Sequence, residues 1–184
     1  MKILIPFCLA LILSQVLYAD TIGGDFTLTD HNGNSWSTAD SRGKVIVLTF
    51  GYTHCADVCP TALATIAAAM GQLDSDSAKV QPLFVSLDPD RDTQQTLASY
   101  VPWFHTSMIG LTGTPDQLAE IAGRYRVRYQ FVGKGETEHY SLDHSANLYV
   151  LDMSGELVRV IPHGLPPQVL TKAIRAALSR GDGA

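Results

Sequence analysis

The sequence predicts an α/β domain, and three observations carry that prediction. Residues 45–50, Val-Ile-Val-Leu-Thr-Phe, are β-branched and almost wholly apolar, as a strand buried on both faces of a sheet requires. Residues 61–73 follow with the Ala, Leu, Ile and Met of a helix, and residues 80–87 make a second apolar run. Strand, helix, strand in that order is a βαβ unit, whose two strands are parallel and joined right-handedly.

The remaining elements follow in order. Residues 25–29 and the Gly33-Asn34 turn predict an edge hairpin leading into the first central strand. Gly51 ends that strand, and Pro60, with no N–H and a preset φ, suits the first turn of the next helix. After the second strand come Asp88-Pro89-Asp90-Arg91-Asp92, a short helix over residues 93–101, and a loop over 103–107 with exposed aromatics. Thr114-Pro115-Asp116-Gln117 opens another helix cleanly, with Thr114 as N-cap, Pro115 at the first position and Gln117 placed for a capping box. Residues 127–132 read as a strand and residues 133–136 as an exposed turn. Residues 147–151 and 157–161 read as two strands joined in a hairpin at Met153-Ser154-Gly155. A last helix begins near Pro166-Pro167 and closes with Arg175, Arg180 and Gly181, basic residues and a glycine where a helix C-terminus favours them.

At 184 residues the chain suits one domain with a core large enough to do without disulfides. Its formal net charge of −5 leaves no basic footprint for nucleic acid. The first 19 residues read as a secretory signal peptide: Lys2, an apolar stretch over residues 3–17, and Ala19 at the cleavage point. Leu17 is larger than the residue usual two positions before the cut, which keeps an N-terminal membrane anchor as the rival. A span needs about 20 apolar residues, and this run is shorter and contains Pro6. The expected organisation is therefore a removable or anchoring segment over 1–19 and one domain over 20–184, exported to a bacterial periplasm. Cys8 falls in the first segment, so the exported part keeps two cysteines, in a compartment where thiols oxidise.

Those two, Cys55 and Cys59, stand where the central strand hands over to a helix N-terminus, whose free N–H groups favour thiolate over thiol. A separation of four residues on a helical turn puts β-carbons roughly 5 to 6 Å apart. A disulfide needs about 3.5 to 4.5 Å, so oxidation requires a modest adjustment. Two thiolates so placed also suit a soft ion, since such ligands select Cu(I), zinc or iron–sulfur clusters. Two sulfurs are too few, and a third ligand has to come from elsewhere.

Of the six histidines, His31, His105 and His163 lie in polar turns and loops that solvation explains. His54 adjoins Cys55, and His139 and His144 occur together in Glu-His-Tyr-Ser-Leu-Asp-His-Ser, with His144 just before the strand at 147–151. Asp143 could orient His144, and Asp57 could tune the thiols, although a solvated carboxylate explains Asp57 equally. Met70, Met108 and Met153 are thioether candidates, Met70 with the spacing of a core residue. The charged loop at residues 88–92 reads either as helix capping or as support for a site or partner at a strand end.

The stretch Phe-Gly-Tyr-Thr-His-Cys-Ala-Asp-Val-Cys-Pro at 50–60, with Val-Ser-Leu-Asp-Pro-Asp-Arg-Asp-Thr at 85–93, Leu-Thr-Gly-Thr at 111–114 and Asp-His-Ser-Ala at 143–146, resembles the Sco/SenC family. The match runs in order from about residue 26 to residue 178. The resemblance implies a thioredoxin-like fold, a central mixed sheet flanked by helices with an additional hairpin. It also implies a copper chaperone for the copper A centre of cytochrome c oxidase, with a copper ion, Cu(I) or Cu(II), held by Cys55, Cys59 and His144. The expected partners are the oxidase subunit carrying that centre and another copper chaperone or a thiol reductant. The family usually places Pro after the first cysteine; Ala56 stands there in this chain, relaxing the loop without removing a ligand.

Three functions compete at this point: a metallochaperone, a thiol–disulfide reductase using Cys55 and Cys59 as a redox pair, and a thiol peroxidase, which would not need His144. Thioredoxin-type enzymes space their cysteines by two residues, and the third residue between these favours metal.

Overall fold

The computed structural model describes residues 22–136 and 139–181. The expected signal or anchor segment, Cys8 included, lies outside them. Among the described residues no helix is long and apolar enough to cross a membrane.

The elements are β1 (Thr27–Asp30), β2 (Ser35–Ser37), β3 (Val45–Gly51), α1 (Val58–Gly71), β4 (Val80–Ser86), α2 (Gln94–Tyr100) and β5 (Ile109–Thr112). They continue with α3 (Pro115–Arg124), β6 (Tyr129–Val132), β7 (Ser141–His144), β8 (Leu148–Leu151), β9 (Leu157–Ile161) and α4 (Pro167–Gly181). Seven strands form a mixed sheet in the order β2-β1-β5-β4-β3-β8-β9, and β6 and β7 form a second, two-stranded sheet. β3, β4 and β5 are parallel neighbours, as the βαβ reading requires, and the other pairings are antiparallel.

Every residue of β3 is buried, and its alternation explains why the run is apolar throughout. Ile46, Leu48 and Phe50 face one core with Leu118, Ile121 and Tyr125, while Val45 and Val47 face another with Leu63, Ile66 and Met70 of α1 and Leu170 and Ile174 of α4. Helices α1, α2 and α4 thus cover one face of the sheet. Helix α3 and the β6–β7 hairpin, through Leu142, cover the other. Phe50, Tyr125 and Tyr149 meet edge to face or tilted at centroid distances of 5.4 to 5.8 Å, filling the centre of that second core.

The capping box of α3 forms as expected: Gln117 N–H donates to Thr114 Oγ1 and Thr114 N–H to Gln117 Oε1. The edge hairpin and the hairpin of β8 and β9 also form. Three expectations need correction. Helix α1 begins at Val58, three residues earlier than residue 61, so Cys59 is inside it. Strand β5 has no counterpart in the sequence reading, because four residues interrupted by Gly110 carry little strand signal. The tertiary contact requires that glycine, since a β-carbon there would stand 3.0 Å from Leu97 Cβ and 3.1 Å from Val101 Cγ1. Third, His144 does not merely precede a strand; it ends one, β7, which pairs with β6 instead of joining the main sheet.

The turn between β8 and β9 is built on Asp152, whose Oδ1 accepts from Ser154 N–H (3.0 Å), Ser154 Oγ (2.6 Å) and Glu156 N–H (3.1 Å). Burial pushes its carboxyl up, but these donors outweigh burial and hold it below the ordinary value. A depressed folded-state pKa contributes stability above the unfolded value, lost as pH falls through the folded one. Asp152→Ala should therefore cost about 1 to 3 kcal/mol near neutral pH. Asp152→Asn, which keeps an acceptor oxygen but cannot titrate, should lose less and show a flatter decline below about pH 4. Denaturant unfolding of both variants from pH 3 to 7 checks this; a Asp152→Ala variant of parental stability at pH 7 would refute it.

Candidate metal centre

The site lies where β3 ends and α1 begins. Cys55 is in the connecting loop and half-exposed, while Cys59, in the first turn of α1, is buried. Packing dictates the burial: a β-carbon on Gly51 would stand 2.6 Å from Cys59 Sγ and 3.0 Å from Phe84, so glycine is needed there for close approach and not only as a strand terminator. Cys59 therefore lies over the end of β3, turned toward the face where the β6–β7 hairpin packs.

The two thiols differ electrostatically. Burial raises Cys55, but the N–H groups of Cys59, Asp57 and Val58 at the helix start, together with the Cys59 thiol, outweigh it and lower its pKa. The Cys59 N–H, for example, lies 3.4 Å from Cys55 Sγ. Burial pushes the Cys59 thiol well up, and the neighbouring Cys55 sulfur adds to the shift. The two sulfurs are thus shifted in opposite directions, Cys55 toward the thiolate and Cys59 toward the thiol.

His144 reaches this pair from 85 positions along the chain, with Nε2 3.3 Å from Cys59 Sγ. Its Nδ1 lies 3.1 Å from the Ser145 carbonyl. A carbonyl can only accept, so Nδ1 carries the proton and Nε2 presents its lone pair to the sulfurs. Burial lowers the imidazole's pKa and so disfavours its charged form. Tyr52 stands edge-on to its ring at 6.1 Å. The ligand atoms of Cys55, Cys59 and His144 all lie within 4.8 Å of one another, the one such cluster among the described residues.

The other candidates go elsewhere. His54 Nδ1 is 3.2 Å from Thr53 Oγ1 and 3.8 Å from Asp92 Oδ1. His31, read as solvated, instead accepts the Gly110 N–H through Nδ1 at 3.0 Å, tying the edge hairpin to β5. His105 accepts from Ser107, and His139 and His163 are exposed. Asp143 is exposed and does not orient His144, a task that falls to the Ser145 carbonyl. Asp57 is exposed at the N-cap of α1 and makes no side-chain cap. Met70 and Met108 are buried in the core, and Met153 packs against it.

The charged loop after β4 contributes what the sequence left open. Asp92 is fully buried, accepts from Ser86 Oγ (2.6 Å), Thr53 N–H (2.9 Å) and Thr53 Oγ1 (2.5 Å), and so anchors the segment leading into Cys55. Burial raises its pKa despite those donors. Asp88 and Arg91 bind Tyr140, the residue just before β7. The signal was present in Asp88-Pro89-Asp90-Arg91-Asp92, but its partners are 39 to 52 residues away and no local pattern points to them.

Comparison with known proteins agrees with the architecture. The family model described as SCO1/SenC matches residues 14–179. The Protein SCO2 homolog, mitochondrial, of Bos taurus is 38% identical over 154 residues, 83% of this chain and 58% of its own length. An SCO2-like protein of Rickettsia conorii is 35% identical over 146 residues, 78% of this chain and 71% of its own. The chain thus spans little more than half the length of the bovine relative. Among solved structures, Arabidopsis thaliana ScoI with copper bound superimposes with a TM-score of 0.78 at 35% identity, covering 87% of this chain and 99% of that one. Bradyrhizobium japonicum ScoI with copper bound gives 0.75 at 37% identity, with the same coverage. A family model spanning most of the chain, and relatives above the level at which folds diverge, agree with the mixed sheet and its added hairpin: the chain belongs to the SCO1/SenC family.

Proposed function

We propose that this protein is a copper chaperone that carries one copper ion on Cys55, Cys59 and His144 and delivers it to the copper A centre during cytochrome c oxidase assembly. The observation that carries the reading is the convergence of two sulfurs and a lone-pair nitrogen within 4.8 Å. Bonds of about 2.0 to 2.3 Å, the range for zinc on sulfur and nitrogen, keep two ligand atoms within roughly 4.6 Å, so the cluster needs only a slight closure. Two thiolates and one imidazole suit a soft ion. Three ligands also leave the coordination open to a group from the receiving protein, as transfer by ligand exchange requires. Relatives solved with copper bound support the choice of ion. The expected acceptor is the oxidase subunit bearing the copper A site, with a second copper chaperone or a thiol reductant upstream. The apolar residues 3–17 support an exported, periplasmic setting, free or tethered to the inner membrane.

A second reading rests on the asymmetry of the thiols. The half-exposed Cys55, favoured as thiolate, can attack an acceptor's disulfide and form a mixed disulfide. Cys59, on losing its proton, then attacks Cys55 sulfur and releases the acceptor as a dithiol, leaving 55 and 59 oxidised until a thiol reductant resets them. The two activities are compatible, since an oxidised pair has to be reduced before it can load copper.

Anaerobic titration of the reduced protein with Cu(I) should saturate at one ion per chain, and Cys55→Ser or Cys59→Ser should abolish stoichiometric binding. Retention of one tightly bound ion by Cys55→Ser would overturn the site. His144→Ala separates the readings. Its copper affinity, measured by competition with a chelator, should fall by more than the roughly 10 to 100-fold that loss of a ligand's supporting partner costs. Attack of Cys55 on a small disulfide, followed in the same variant as mixed-disulfide formation, should keep the parental rate. Parental copper affinity with slowed attack would replace the chaperone by the reductase.

A further inference from the structure

Two of the three ligand positions belong to one body and the third to another. Cys55 and Cys59 are fixed by β3 and α1, whereas His144 ends β7 in the two-stranded sheet, which shares no ladder with the main one. Whatever docks that hairpin sets the distance between His144 and the sulfurs.

Apolar contact supplies part of the docking, through buried Leu142. The polar part converges on Arg91. Its Nε donates to Asp88 Oδ2 at 2.5 Å and its Nη1 to the Tyr140 carbonyl at 2.9 Å, while Nη2 makes no hydrogen bond. The guanidinium carbon lies 3.5 Å from the Tyr140 ring centroid and 5.5 Å from that of Tyr52. Tyr140 returns the contact, its hydroxyl donating to Asp88 Oδ1 at 2.7 Å. Tyr52, under the same guanidinium, stands edge-on to His144. A second bridge, Lys134 to Asp90 at 2.7 Å, joins the hairpin turn to the same loop, but its side chains are 36% and 59% exposed against 17% and 0% for Arg91 and Asp88. Exposed pairs contribute little, so the more enclosed contacts of Arg91 and Asp88 to Tyr140 are the ones that hold the hairpin.

We propose that Arg91, seated on Asp88, is the positioning residue for the third ligand: it clamps Tyr140, just before β7, and thereby sets His144 against Cys55 and Cys59. This rests on the reading of those three residues as a copper site. The planar guanidinium makes one hydrogen bond to each side of the gap while stacking on Tyr140, a grip that an ammonium cannot reproduce. Loss of the clamp leaves β3 and α1 in place and frees the hairpin.

The test combines copper affinity with a copper-free readout. In Arg91→Ala, affinity should fall about 10 to 100-fold, as expected for a ligand's supporting partner. X-ray absorption should show the imidazole contribution at copper diminished, and Arg91→Lys should fall between variant and parent. The double variant Arg91→Ala/His144→Ala should bind no more weakly than His144→Ala alone, because both changes remove the same ligand. Without copper, amide exchange should quicken in β6 and β7 and stay parental in β3 and β4. Parental exchange in the hairpin, or losses that simply add in the double variant, would overturn the positioning role. Parental copper affinity in His144→Ala would instead overturn the site, and the exchange data would still judge the clamp. Should Arg91→Ala fail to fold, Tyr140→Phe, which removes only the hydroxyl's bond to Asp88, should give a smaller loss that vanishes in the His144→Ala background; a loss that persists there refutes the proposal.

Discussion

Cys59 Sγ rests so close over Gly51 that no β-carbon fits between them, and much of the site follows from that contact. It brings the first turn of α1 down onto the end of β3 and buries one sulfur in the core shared with α3 and the hairpin. The second sulfur, four residues earlier, is left in the loop at the open N-terminus of the helix. Backbone donors there act on Cys55, while burial in the core and the neighbouring Cys55 sulfur act on Cys59, whose sulfur also meets the His144 imidazole. Two identical side chains thus acquire opposite proton affinities through placement alone.

On the function proposed above, the same arrangement suits an ion that has to leave again. A closed site would need a fourth protein ligand and would gain stability from the metal. Here the two cores on either side of the sheet are complete without the ligand set, apart from Cys59, which serves as a small apolar residue in one of them. His144, its outer nitrogen committed to the Ser145 carbonyl, offers a donor already in the right tautomer.

The loop after β4 links both halves of the site. Asp92 holds Thr53 on the approach to Cys55, and Asp88 with Arg91 holds Tyr140 on the approach to His144. A single short turn at the carboxyl end of a parallel strand thus sets the two chain segments that have to meet. The carboxyl ends of strands are also where open α/β sheets usually place their ligands.

What the sequence determined by itself was local and strongly patterned. The doubly buried β3, the capping box at Thr114 and Gln117, the Cys55 and Cys59 spacing at a helix start, and the Met153-Ser154-Gly155 turn all declare themselves within a few residues. Tertiary structure decided the rest. Strand β5 exists because Gly110 lets α2 approach, a contact with residues that no period along the chain reveals. The choice among six histidines required the hairpin, since His144 meets Cys59 across 85 residues and only resemblance to a family had singled it out. Period and capping report the neighbours a residue has along its own element, whereas ligand geometry depends on how separate elements dock, and here a half-buried arginine, Arg91, reaches from the main sheet's loop to the hairpin.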